Sequence, residues 1–273
     1  MNLIMMQDTP FIEELMRKLK FSVLLAAGIL FLGCTGDDGG LPPPANSANL
    51  VLDFQPKFEG QDMHLQTPYN NAHGCTFELT DLKFYLSNIS LHYDNGDTLL
   101  LSEIKLIDFS ENTYTLDFPL TGGEFVAISF DIGVPVHLNG TQNPDFLTSV
   151  YSTDHPLSGL NNTYWTWQTG YRFFMADGRF DTIPGSSVVP QTFSFHTGRD
   201  ELFRSAGTFN RLISGIAGTQ NHLSFALDFE KFFVTEHGEV DLRVERTFHG
   251  AASQMELGTR LADNTSEMFR LIP

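Results

Sequence analysis

Apolar and polar residues alternate through most of this chain. Asn49-Leu-Val-Leu-Asp-Phe54 puts an apolar side chain at every second position, the period of a strand that buries one face. Thr76 to Leu86 alternates for much of its length and runs on into Ile89-Ser-Leu-His-Tyr93. Asp94-Asn-Gly-Asp97 reads as a hairpin turn, because Asn-Gly accepts positive φ at low cost, and Thr98 to Phe109 is the returning strand. Glu124 to Gly133, Tyr164 to Met175, Gln191 to His196 and His222 to Phe229 are further predicted strands. Helical signal is confined to Ala251–Leu271, where Met255, Leu261, Met268 and Phe269 stand among helix formers, with Asp263-Asn-Thr265 as a point of breakage. Residues 134–163 are rich in Pro, Asn and Ser and have no period, and a loop of that length is usually functional or disordered. There is no internal repeat. The pattern predicts an all-β fold: an antiparallel β-sandwich with long irregular loops and a C-terminal helix. Twenty-five phenylalanines suit half-buried sheet faces.

The N-terminal part has a different character. Residues 1–33 read as a signal peptide: Arg17-Lys-Leu-Lys20 is a basic lead, and Phe21 to Leu32 is an apolar stretch too short to span a bilayer. Leu30-Phe-Leu-Gly-Cys34 resembles a bacterial lipoprotein signal, with cleavage before Cys34 and lipid carried on Cys34; the competing reading is an ordinary secretory signal with an incidental cysteine. Met16-Arg-Lys looks like a natural start, which would make residues 1–15 an upstream extension. Residues 34–48, rich in Gly and Pro, form a flexible tether, and residues 49–273 a single β domain. The expected location is the cell envelope, lipid-anchored to the outer membrane. Asp37-Asp38 behind the cysteine adds surface exposure as an option, since it resembles the surface-export signal of Bacteroidetes lipoproteins.

Charge and cysteine content narrow the partners. The net charge is −17, and it stays there without residues 1–33, which hold three basic and three acidic residues. Such a surface repels nucleic acid and anionic headgroups and favours cations or basic proteins. With Cys34 lipidated, Cys75 has no disulfide partner and is expected as a small buried hydrophobe.

Chemistry-bearing motifs are sparse. There is no nucleophile elbow, Walker loop, Rossmann glycine pattern or His-Glu-x-x-His. Of nine histidines, His64, His73, His92, His137 and His155 fall in turns, strand ends or loops, and His222, His237 and His249 look peripheral. His196 differs. It closes Gln191-Thr-Phe-Ser-Phe-His196, where alternation sets it with Ser194 and Thr192 and opposite Phe193 and Phe195. The two tryptophans, Trp165 and Trp167, would share a strand face with Thr169 and Tyr171. Core or cross-strand packing competes there with sugar stacking, cation–π contact or a place beside a metal.

Five blocks in order carry a family resemblance: Phe77-Glu-Leu-Thr-Asp-Leu-Lys-Phe-Tyr-Leu-Ser-Asn-Ile89, Lys105-Leu-Ile-Asp-Phe109, Ser129-Phe-Asp-Ile-Gly-Val-Pro135, Tyr164-Trp-Thr-Trp-Gln-Thr-Gly-Tyr171 and Ser194-Phe-His-Thr-Gly198. Together, over residues 48–270, they resemble the MbnP-like family, named for a protein of methanobactin copper operons. The resemblance implies an exported, β-rich copper-binding protein. In methanotroph members it implies a site of histidines and a tryptophan oxidised to kynurenine by a partner di-haem, MauG-like oxidase. That tryptophan stands in a Trp-x-His just before the block that here reads Ile104 to Phe109; this chain has Leu99-Leu-Leu101 instead. The second histidine ligand matches His196. One imidazole does not hold copper tightly, so a further ligand is required, and His64, His155 and Met175 are the candidates. The kynurenine role does not transfer to Trp165 or Trp167, of which at least one is expected in the sandwich core.

Three functions follow. The first is a lipoprotein that binds or handles copper without catalysis. The second is a non-metal glycan- or protein-binding or structural module on the same fold. The third is an enzyme whose site is scattered beyond any motif.

Overall fold

The computed structural model describes residues 47–140, 151–166 and 170–273. The expected signal peptide, its upstream extension, Cys34, most of the tether and Trp167 lie outside the described residues. Among the described residues no helix is long and apolar enough to cross a membrane.

Two sheets face each other across a phenylalanine-rich core. The smaller sheet is built around β1 (Ala48–Phe58), which turns Ala48, Leu50, Leu52 and Phe54 inward. On one side β1 pairs in parallel with β12 (Gln220–Asp228). On the other it pairs antiparallel with β6 (Thr115–Leu120) and the short β2 (Gln61–Asp62). β16 (Phe269–Leu271) adds to β12. The larger sheet runs β11 (Arg204–Ser214), β7 (Glu124–Ile132), β4 (Thr76–His92), β9 (Gly170–Asp181), β10 (Gln191–Gly198), β15 (Thr247–Phe248). β3 (Tyr69–Asn70) and β5 (Thr98–Asp108) pair with β4, and β8 (Tyr164–Thr166) pairs with β9. The architecture is the expected sandwich, with mixed rather than purely antiparallel sheets: β1–β12 and β10–β15 are parallel.

The long β4 shows how an imperfect period still yields one buried face. Its inward residues Leu79, Leu82, Leu86 and Ile89 are all 0–1 % exposed, and two of their spacings are three. At those places the register shifts, between Leu79 and Asp81 and between Ser87 and Ser90. An inserted residue at each bulge returns the apolar set to the core. Within the smaller sheet Phe54 stacks on Phe225 at 5.4 Å, within the larger Phe84 stacks on Phe174 at 5.5 Å, and across the gap Phe54 meets Phe84 and Phe130 edge-on at 6.3 and 6.0 Å. Cys75 is buried and free, as expected of a small hydrophobe.

Two predicted elements change shape. Tyr164 to Met175 is not one strand. The chain doubles back so that Tyr164 faces Tyr171 across β8 and β9. Gly170 permits this: its φ is +67°, and a Cβ there would lie 2.0 Å from Asn139 Oδ1. The C-terminal helix is also shorter than expected. α1 (Phe229–Phe233) is an additional short helix, and α2 (Met255–Ser266) runs unbroken through Asp263-Asn-Thr265. Asn264 Nδ2 donates to Phe232 O at 3.1 Å and Thr265 Oγ1 to Ala262 O at 2.9 Å, so these polar side chains are satisfied inside the fold. The chain then leaves the helix because Phe269 packs on Phe54, Phe84 and Phe130 from strand β16.

The described part of the long loop covers a second apolar cluster made of Tyr85, Ile104, Val134, Leu157, Tyr171 and Phe173. Tyr85 Oη donates to Pro156 O at 2.9 Å and lies 2.6 Å from Thr163 Oγ1, and Tyr171 Oη donates to Leu157 O at 2.8 Å. Residues 156–163 are thereby pinned to the sheet beneath β8.

Candidate metal centre

The centre forms where β10 meets β15. Alternation along β10 sends Phe193 and Phe195 into the core and leaves Ser194 and His196 on the other face. On neighbouring β9, Asp177 lies opposite Ser194 and Met175 opposite His196. On the other side β15 pairs Thr247 with Ser194 and Phe248 with Phe195. Phe248 is fully buried, so the next residue, His249, emerges beside His196. The two imidazoles stack with centroids 4.8 Å apart and planes 21° from parallel.

Hydrogen bonds tie the group together. His196 Nε2 is 2.9 Å from Asp177 Oδ2 and 3.3 Å from Ser194 Oγ. Ser194 Oγ is 2.8 Å from His249 Nε2. One proton arrangement satisfies these contacts: His196 donates to the carboxylate, and Ser194 donates to an unprotonated His249 Nε2. Trp165 turns its indole edge-on to both rings, 5.3 Å from His249 and 6.2 Å from His196. The Arg172 guanidinium lies 5.5 Å from the Trp165 ring centre, and its Nη1 donates to Asn162 O at 3.3 Å.

Electrostatics favour the ligand-competent forms. Burial alone would raise the Asp177 carboxyl, but the hydrogen bond from His196 leads the effects that outweigh it and hold the pKa below the usual range. Burial lowers His249, and its electrostatic surroundings, Arg172 among them, lower it further. A metal needs an ionised carboxylate and an unprotonated imidazole, and these shifts supply both near neutral pH. A hydrolytic relay is a different arrangement. Such a triad needs acid and nucleophile on opposite ring nitrogens, whereas Asp177 and Ser194 share His196 Nε2.

The other candidates go elsewhere. His155 stacks on Tyr151 at 4.3 Å, and its Nδ1 accepts the Leu157 N–H at 3.0 Å, so it braces its own loop. His64 lines a separate cleft of ≈ 490 Å³ with Asp53, Asp62, Phe109 and Tyr114. Met175 is buried directly across from His196. Trp165 is half-buried against the histidines and does not join the sandwich core, the place expected for one of the tryptophans, because the β8–β9 hairpin holds it on the outer face. His249, read from sequence as peripheral, is the residue that completes the pair. One signal for it was present: Phe195-His196-Thr-Gly198 and Phe248-His249-Gly250 both place a histidine between a core phenylalanine and a glycine.

The model of the MbnP family matches residues 47–256. The chain belongs to the MbnP family. Its structure is similar to MbnP from Methylosinus trichosporium, with a TM-score of 0.51 over 82% of this chain and 98% of that chain. The two sequences are 14% identical, so the likeness is one of fold. No curated protein matches the chain in sequence. The leucines that stand where the MbnP resemblance implies Trp-x-His lie on β5. Leu99 and Leu100 are exposed there, 37% and 56%, and offer no metal donor.

Proposed function

We propose that this MbnP-family protein binds copper at the edge of its larger sheet and holds or passes it on without catalytic turnover. The observation that carries the reading is the pairing of His196 with His249. Two imidazoles presented to one spot are a donor set that copper accepts in either oxidation state, and membership of the MbnP family fits such a role. His196 and His249 would hold the ion through Nε2, between which Ser194 Oγ stands here. Asp177 supplies a carboxylate at the same spot, and Met175 a soft thioether across the register. Trp165 shields the pair from solvent on one side.

The kynurenine chemistry implied for other members has no counterpart at Leu99–Leu101, so this reading gives a di-haem oxidase no substrate at that position. Export and lipid attachment at Cys34 complete the proposal, with the tether setting the β domain off an outer-membrane surface. The glycan-binding alternative draws less support, because the Trp165 ring is engaged by Arg172 and by both histidines.

Competition of the purified protein against chelators for Cu(I) and Cu(II) tests the reading. One equivalent of tight binding is expected, weakened at least about tenfold by either His196→Ala or His249→Ala, since even outer partners of a ligand are worth that much. Saturable binding that neither variant changes, or none at all, sinks it.

A further inference from the structure

A second cluster of donors is independent of the histidine pair. Among the described residues, the one set of three His, Cys, Asp or Glu ligand atoms within 4.8 Å of one another belongs to Glu236, His237 and Glu267. Glu236 and His237 form the turn between β13 (Val234–Thr235) and β14 (Gly238–Glu239), and Glu267 closes α2. His237 Nε2 is 2.9 Å from Glu267 Oε1. Lys231 Nζ is 3.4 Å from the other oxygen, Oε2. The carboxylate is thus divided, one oxygen engaged by a lysine and the other turned to the imidazole.

What separates this cluster from chance surface charges is the way its backbones are fixed. Asn264 is fully buried and joins helix to hairpin. Its Nδ2 donates to Phe232 O at 3.1 Å and to Gly238 O at 3.3 Å, and its Oδ1 accepts from the Thr235 hydroxyl. Thr235 Oγ1 in turn accepts the His237 N–H at 3.0 Å. The residues bearing all three donors are therefore held through one amide, and binding an ion there costs side-chain freedom with little backbone ordering.

The geometry points to a second metal site in which Glu236, His237 and Glu267 take up a borderline divalent cation of the zinc type. The imidazole selects against calcium and magnesium, which prefer all-oxygen sites, and two carboxylates balance the charge of the ion. Glu236 and His237 are exposed, and a cavity of ≈ 390 Å³ lined by His237, Thr259, Arg260 and Asp263 opens alongside. Water completes the coordination shell, so the site exchanges readily with solution. The chain's net charge of −17 favours any cation approaching it.

The test uses the His196→Ala/His249→Ala protein, which removes the proposed copper pair and keeps the two readings separable. Titration with Zn²⁺ is followed by calorimetry and melting, and titration with Co²⁺ by visible absorption. One equivalent is expected to bind and raise the melting temperature, and Co²⁺ to give ligand-field bands. Adding His237→Ala weakens both at least about tenfold. Glu236→Gln, on an exposed turn, does the same with no change in the metal-free melting temperature. Absence of saturable binding, or binding indifferent to both His237→Ala and Glu236→Gln, overturns the site.

Discussion

Asp177 sets a carboxylate oxygen beside the nitrogen that His196 would offer to copper, so an ion there would replace the proton the two now share. The carboxylate holds the imidazole at 2.9 Å and stays ionised despite its burial. In Asp177→Asn the anionic oxygen donor goes and the shape stays, so copper affinity is expected to fall at least about tenfold, as loss of even an outer partner would cause, while the melting temperature changes little. Ser194→Ala removes the hydroxyl between the rings and should alter affinity only a few-fold, because serine is not counted among the ligands. Chelator competition on the two variants side by side checks this, and equal losses would contradict it. These residues were unequally legible. His196 was visible because it alternates with Phe193 and Phe195 on a strong strand. His249 was not, because it follows a two-residue strand that has no period of its own and owes its place to parallel pairing with a distant segment. The place of Trp165 was not legible either, because alternation does not show that Tyr164 pairs back onto Tyr171.

At the level of elements, α2 fixes His249 through Phe248. A Cβ on Gly258 would lie 2.3 Å from the Phe248 ring, so helix and strand touch through a position with no side chain. Gly258→Ala is expected to destabilise the fold by about 1–3 kcal/mol by overpacking and to weaken copper binding as Phe248 shifts. Urea denaturation and metal titration on the same protein would show both effects. A stability loss with copper affinity intact would mean that Phe248 does not position His249. The long strands were legible because each carries several residues of one face. β6 and β11 were not singled out. β6 is short and contains Pro119, while β11 leaves most of its residues exposed or half-exposed, so neither displays a strong apolar stripe. The C-terminal helix was read too long because Met268 and Phe269 look the same in a helix as in a strand. Only the ring partners of Phe269 across the sandwich distinguish the two.

The molecule as a whole depends on protonated phenols under its covering loop. Burial raises Tyr85 and Tyr171 above the free value of 10.0. The unfolded chain releases those protons near that pH and the folded chain retains them. Their contribution is therefore complete below it and is lost as pH rises, by about 1.4 kcal/mol per pH unit for each phenol. Denaturant titrations across the alkaline range should show this decline, made shallower by Tyr85→Phe; a flat profile would contradict it. The parallel partnership of β1 and β12 has another consequence, one of order in time. The first strand of the domain sits between β6 and β12, and β12 lies near the opposite end of the chain. A chain made N-terminus first has a strand waiting for its partner, and closure of such non-local pairs is slow. A fragment ending before Gln220 is expected to show no cooperative unfolding transition. His249 comes later still, so the proposed copper pair is complete only after β12 has been made. A chain stopped between His196 and His249 would carry one imidazole of the proposed pair and lack the other.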